Sequence, residues 1–174
     1  MKKKKIKIVI SLLVVLFVGC LGAYYYVNNV APVQFVQSYL EARYDQTDYL
    51  NITEKSNAQK NKMDPLLLGI DYKFSDFNSY IEEFANFKLR TSLKDANIYK
   101  VEKVQDIISI KVKVHVFFKS DVMEDWAQET FYDLNILLKR QGFGKYKINY
   151  IKELDSHIEL MDDDGEEYHN HHSH

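Results

Sequence analysis

From Ile6 to Val27 the chain is apolar almost without interruption, broken by Lys7 and Ser11 near its start and by Gly19 and Gly22. At about 1.5 Å of rise per residue such a run crosses the roughly 30 Å hydrocarbon layer of a bilayer. In lipid every backbone N–H and C=O must find its partner inside the segment, and a helix meets that demand. The pattern predicts a transmembrane helix with Ile6, Leu12, Leu13, Val15, Phe17 and Leu21 among its lipid-facing anchor residues. Tyr24, Tyr25 and Tyr26 follow at its end, where aromatic rings favour the headgroup layer.

Beyond a short juncture at Asn28–Ala31 the apolar positions take a helical period. Pro32 suits a first helical turn, and Phe35, Val36, Tyr39, Leu40 and Arg43 form one stripe, predicting a helix over about 32–44. Residues 46–64 have no clean period and fit either a loop or a helix with Leu50, Ile52 and Met63 turned inward. Leu66 to Ile70 forms a short apolar turn. Ser75 is a candidate cap for a helix carrying Phe77, Tyr80, Ile81 and Phe84 and ending near Asn86.

The period then changes to 2. Phe87, Leu89, Thr91 and Leu93 alternate with polar residues; the parity slips across Lys94–Asn97, which predicts a bulge, and Tyr99, Val101 and Lys103 resume on the other phase. Ile108, Ile110, Val112, Val114, Val116 and Phe118 give the clearest strand. Tyr132, Leu134, Ile136 and Leu138 give another, Gln141–Gly144 a turn, and Tyr146, Ile148 and Tyr150 the last. Sequential strands with short connections pair antiparallel. The predicted class is α+β: an N-terminal transmembrane helix, then two or three helices on a curved, about four-stranded antiparallel sheet. The expected boundaries are a basic cytoplasmic head at 1–5, the anchor at 6–27, an extracytoplasmic domain at 28–154 and an acidic, His-rich flexible tail at 155–174.

Charge orients this plan. Lys2, Lys3, Lys4, Lys5 and Lys7 open the chain, and no acid precedes Glu41. By the positive-inside rule the head stays in the cytoplasm and the domain is carried across, giving a single-pass cell-membrane protein. Two readings compete with the uncleaved anchor. Val18-Gly19-Cys20 resembles a lipobox, which would make Cys20 a lipidation site, although Phe17 replaces the usual leucine; simple secretion lacks an A-x-A cleavage site. Cys20 is the sole cysteine, so no disulfide or cysteine metal cluster forms within the chain. Exported domains without cysteine are common in Gram-positive bacteria. Residues 28–152 carry 18 basic and 17 acidic groups, which argues against direct nucleic-acid binding.

Few residues point to chemistry. No phosphate loop, HExxH or GxSxG motif occurs, and no cofactor or enzymatic activity is expected. Asp162–Glu167 lacks the ligand spacing of a calcium loop. His169, His171, His172 and His174 are dense enough for weak chelation but sit in a terminal segment without the rigid frame of a metal site. His115, on the polar face of the clearest strand, would need a carboxylate such as Asp133 or Asp106 to act as a base. Lys111, Lys113, Lys119, Lys139, Lys145 and Lys147 come from consecutive strands and would cluster on one sheet face or edge, a candidate partner surface for an acidic partner, a cell-wall polymer or anionic lipid headgroups; a plain solvated face is the simpler alternative. Trp126, on a polar connection, is either a contact residue of that surface or folds back on the core.

The order of elements resembles the nuclear transport factor 2-like (cystatin-like) fold, and its membrane-anchored versions among the VirB-eight-like scaffold subunits of type IV secretion and conjugative transfer machines. The resemblance covers about residues 32–153 plus the anchor. It is carried by Pro32-Val33-Gln34-Phe35-Val36-Gln37-Ser38-Tyr39-Leu40, by Phe77 to Phe84 and by the strand from Ile107 to Lys119. It implies a non-enzymatic assembly subunit that contacts membrane lipid and other channel proteins and self-associates. The alternatives are an exported ligand-binding or isomerase-like domain of the same fold, or a surface lipoprotein.

Overall fold

In the computed structural model, which describes residues 2–69, 77–123 and 126–161, one helical rod runs from the apolar segment into the domain core. Helix α1 (Lys2–Tyr25) passes through a π-helical turn (Tyr26–Val30) straight into α2 (Ala31–Tyr44). The break expected at Asn28–Ala31 is therefore absent. Pro32 has no N–H, and in a regular α-helix its ring would press on the carbonyl four residues back, that of Asn28. The wider π turn takes up this misfit: the Ala31 N–H donates to the Tyr26 carbonyl, five residues back. The amides of Asn28 and Asn29 donate to the carbonyls of Tyr24 (2.7 Å) and Tyr25 (3.0 Å), supplying donors where the helical ladder is irregular.

Helix α1 is long and apolar enough to cross a membrane. Leu12, Leu13, Val15, Phe17 and Leu21 are all more than half exposed, and Cys20 is exposed as well. Ile6 lies in α1, with its side chain outside the described residues. An apolar cylinder left this exposed by the described residues has the character of a surface meant for lipid.

Five antiparallel strands follow in simple meander order: β1 (Thr47–Asp48), β2 (Leu89–Val104), β3 (Ile107–Ser120), β4 (Ala127–Gly142) and β5 (Lys145–Met161). Helix α3 (Ile52–Lys60), a 3₁₀ turn (Pro65–Gly69) and helix α4 (Phe77–Asn86) lie between β1 and β2. The four long strands are those the alternation predicts. The parity slip at Lys94–Asn97 is a register shift between Leu93 and Asp95, and a second shift falls between Ile98 and Lys100. Each shift inserts an unpaired residue and adds bend and twist.

Three expectations need correction. The segment after Gln46 contributes a fifth strand, β1, which pairs Thr47 with Thr91 and Asp48 with Arg90. Leu50, which the helical alternative for 46–64 turns inward, is 78% exposed, because the turn before α3 carries it outward while Ile52 and Met63 are buried. Strand β5 runs on to Met161, past the expected domain end at Glu153–Leu154, because β4 begins at Ala127 and offers partners for every residue from Asp155 to Met161. The Ser75 cap, the acidic run at 162–167 and the terminal histidines lie outside the described residues.

The core sits between α2 and the concave face of the sheet. Val36, Tyr39, Leu40 and Tyr44 of α2 pack on Ile108, Ile110, Val112, Val114 and Val116 of β3, Leu134, Ile136 and Leu138 of β4, and Ile148 and Ile151 of β5. Each such side chain contributes about 1.5–3 kcal/mol by leaving water. A second cluster gathers Ile52 of α3, Phe84 of α4 and Leu89 of β2, with Tyr80, Ile81 and Trp126 packed against it.

Candidate functional site

Three places combine polar groups in a way the core does not require. The first is the junction of rod and sheet. Val27 and Asn28 are buried at the π turn. The Asn28 Oδ1 accepts from the Arg140 Nη2 (2.5 Å) and from the Lys103 ammonium, and the Tyr146 hydroxyl donates to the Val27 carbonyl. Lys103 closes β2, Arg140 closes β4 and Tyr146 opens β5, so three strands grip one helical turn. The Lys103 Nζ also stands 5.6 Å from the centre of the Tyr24 ring, a cation–π contact. Burial is the main force raising the Tyr146 phenol above its usual range, with the Arg140 cation opposing it.

The second place is the concave side, where an enzyme or ligand-binding domain of this shape would need a cavity. Tyr44 and Tyr132 stack there with ring centres 6.0 Å apart. The buried Arg43 guanidinium lies 4.3 Å from the Tyr80 ring centre and 5.4 Å from that of Tyr44, with Gln59 Oε1 at 3.5 Å. Burial acts to lower the pKa of Arg43, but Tyr44, Tyr80 and Tyr39 outweigh it, and the net shift is upward. Tyr44, Tyr80 and Tyr132 are all pushed well above the ordinary phenol range, chiefly by burial. Rings and a captive cation pack this part of the concave side, and a separate opening of about 360 Å³ lies between Gln37 and Glu41 of α2, Asp45 just past it, and residues 93–96 of β2.

The third place is the outer face of the sheet. His115 stacks on Phe131 (4.2 Å between ring centres, 19° apart), and His157 lies on the other side of Phe131 at 6.3 Å. The His115 Nε2 is 2.8 Å from the Glu129 Oε2. The Tyr99 hydroxyl donates to the Asp133 Oδ1 (2.8 Å), a bond that raises its pKa. His115, Phe131, Asp133 and His157, with Asp95, Lys113 and Asp155, line an open groove of about 410 Å³. The carboxylate beside His115 is thus Glu129; Asp133 holds Tyr99 instead, and Asp106 lies at the far end in the β2–β3 turn. Among the described residues no group of three or more His, Cys, Asp or Glu side chains is arranged to hold a metal.

The six lysines do not form one patch. Lys111, Lys113 and Lys119 lie along β3, where Lys111 is opposite Lys100 and Asn135, Lys113 opposite Asn97 and Asp133, and Lys119 opposite Arg90 and Ala127. Lys139 of β4 pairs with Lys147 of β5, and Lys145 follows the β4–β5 turn, all at the end near the helical rod. At about 3.3 Å per residue the set spreads over roughly 40 Å, with carboxylates between. Trp126 is half-buried over the Ile52–Phe84–Leu89 cluster. Sequence reasoning missed Asn28, Glu129, Phe131 and His157. The one usable signal was the Asn28-Asn29 pair immediately before the Val30-Ala31-Pro32 step, polar residues where an apolar helix meets a proline.

Against known proteins, no family model matches the chain, and no curated protein does. Among solved structures one likeness bears on the fold. The chain is similar to the periplasmic domain of DotI. The likeness has a TM-score of 0.50 at 12% identity and spans 72% of this chain and 94% of that one. At this identity it establishes the fold: nearly the whole of a domain that stands outside a membrane shares the arrangement of helices and sheet seen here.

Proposed function

We propose that this protein is a non-enzymatic, membrane-anchored scaffold subunit of a bacterial type IV secretion or conjugative transfer channel. Its basic head lies in the cytoplasm and its nuclear transport factor 2-like domain outside. The observation that carries the reading is the combination of a lipid-suited N-terminal helix with a domain whose fold matches that of a periplasmic one. The element order, which resembles that of the VirB-eight-like scaffold subunits, supports it further. The tyrosine rings packed around Arg43 between the helices and the sheet weigh against the ligand-binding alternative, which calls for an enclosed apolar pocket on that side.

In this reading the outer face is where other channel proteins dock, and the His115–Phe131–His157 groove receives a side chain of a partner. Anchoring raises the local concentration of the domain beside other membrane subunits. The test is deletion of the gene from its own host followed by a transfer or secretion assay, with photocrosslinking from Phe117 and Phe131 in intact cells. Loss of transfer, restored by the wild-type gene, together with crosslinks to envelope proteins of the same machine, is the expected result. Undiminished transfer in the deletion strain defeats the proposal. If the protein instead incorporates palmitate and loses it in Cys20→Ala, the lipoprotein alternative takes its place.

A further inference from the structure

We propose that the two hairpin turns at the rod end of the sheet are seated in the headgroup layer of the same bilayer that α1 crosses, with anionic lipid as their partner. This rests on the reading of α1 as a membrane span, and on neither the orientation of the chain nor the channel it serves. Three observations place the turns. First, the contacts of Lys103, Arg140 and Tyr146 with Val27, Asn28 and Tyr24 hold this end of the sheet against the last turns of the rod before the core. Tyr24 closes the apolar run, where aromatic side chains mark the lipid–water boundary. Second, the β2–β3 turn (Gln105–Asp106) lies two to three residues past Lys103, and the β4–β5 turn (Phe143–Gly144) is its neighbour, since the Arg140 N–H donates to the Asp106 carbonyl (3.0 Å). Each headgroup layer is roughly 5–8 Å deep, so a strand that touches Tyr24 carries its turn into that layer.

Third, the turns have the chemistry of a bilayer surface. Val104 and Phe143 are 70% and 75% exposed and belong to neither core cluster. Around them stand Lys103, Lys139, Arg140, Lys145 and Lys147, against the acids Glu102 and Asp106. Glu102 is already paired with Lys100 at 2.9 Å. Apolar tips ringed by cations bind anionic interfaces by shallow insertion and by attraction to phosphate. The same arrangement explains why Lys139 and Lys147 tolerate standing directly opposite each other on β4 and β5: lipid phosphate relieves a pair of like charges that water alone screens.

The test uses the full chain with Cys20→Ser, reconstituted in vesicles of phosphatidylcholine with about one third phosphatidylglycerol. An environment-sensitive fluorophore is placed singly at Val104→Cys, Phe143→Cys, Leu13→Cys and Leu50→Cys. All four positions are exposed, so labelling leaves the core intact. The expected result is a blue-shifted emission at 104 and 143, quenched by spin labels near the headgroups. The label at 13 is quenched by labels deep in the chains, and the label at 50 stays water-like. Replacing phosphatidylglycerol by phosphatidylcholine, or adding 0.5 M salt, should reduce the quenching at 104 and 143 at least twofold and leave that at 13 unchanged. Labels at 104 and 143 that behave like the one at 50, while 13 is quenched, overturn the seating and leave the span intact. A water-like label at 13 overturns both.

Discussion

The clamp at the π turn makes a quantitative prediction, because two neighbouring asparagines separate its contributions. Asn28 and Asn29 each donate to a carbonyl four residues back, at 2.7 and 3.0 Å. Asn28 alone is buried and alone accepts from Lys103 and Arg140. Asn29→Ala therefore reports the helix-local bond, about 0.5–1 kcal/mol for an exposed amide that water can replace. Asn28→Ala removes that bond and the shared acceptor of two cations. Lys103 is exposed and regains water, so its bond counts little. Arg140 is half-buried, and its Nε already has no hydrogen-bond partner among the described residues, so the loss falls mainly there, at about 1.5–2 kcal/mol for a bond to a charged donor. The sum for Asn28→Ala is about 2–3 kcal/mol, which for a domain of this size lowers Tm by roughly 6–12 °C. The assay is thermal unfolding of the full chain in detergent micelles, followed by the near-ultraviolet dichroism of the core tyrosines. An Asn28→Ala midpoint within 2 °C of that of Asn29→Ala would refute the clamp.

Other consequences are shorter to state. Tyr44, Tyr80 and Tyr132 have folded-state pKa values raised by burial above the unfolded value of about 10; the stability they contribute is complete below pH 10 and is lost as pH rises beyond it. Absorbance at 295 nm should show an early phase from exposed phenols and a late one coincident with unfolding, and a single smooth titration without unfolding would contradict the buried cage. Arg43→Ala empties the centre of that cage and should destabilise by about 3–5 kcal/mol in urea titration; a loss under 1 kcal/mol would mean the guanidinium is not held as described. Lys88, just past α4, has φ of 44°, a conformation that suits glycine, so Lys88→Gly should raise stability by about 0.5–1 kcal/mol, and a decrease would count against that backbone geometry. A chain ending at Leu154 should melt well below one ending at Met161, because it strips the partners of Ala127–Asp133 from β4; equal midpoints would show that the end of β5 adds nothing.

How far the sequence could be read follows from which forces dominate each element. Where one face is buried against a continuous core, alternation is strict, and Ile108 to Phe118 shows its strand without ambiguity. The Lys94 slip was legible for the same reason: a bulge must shift parity to keep both halves facing inward. The π turn was illegible because Pro32 ordinarily marks a helix start, and only the three-dimensional grip on Asn28 makes a continuous rod the better solution. Leu50 and the end of β5 misled in opposite ways. An isolated leucine in a polar turn carries no periodic information. The stretch from Asp155 to Met161 is polar on most positions because its pairing with β4 is decided by backbone hydrogen bonds more than by burial. The candidate sites were the least legible part. His115 was visible as a polar-face residue, but Glu129 and His157 become its neighbours through pairing across three strands, which no local pattern encodes.

The rod itself changes what anchoring accomplishes. A flexible tether would hold the domain near the bilayer but leave its height and rotation free, and any partner would have to order both on binding. Here the polypeptide enters the core as helix, without a linker, and the π turn is gripped by Lys103, Arg140 and Tyr146 from three strands. Rotation of the domain about the rod would break all three contacts together. The outer face, with its His115–Phe131–His157 groove, is thereby presented at one height and in one direction relative to the span. In the proposed scaffold role, a ring or row of such subunits would share that orientation without further ordering, and the clamp would lower the entropy lost at each docking step. Inserting Gly-Gly-Ser between Asn29 and Val30 separates the two ideas. It leaves the span and the sheet intact while freeing the orientation. Partner crosslinking from the outer face should then fall several-fold with folding and membrane insertion preserved, whereas unchanged crosslinking would show that proximity alone suffices.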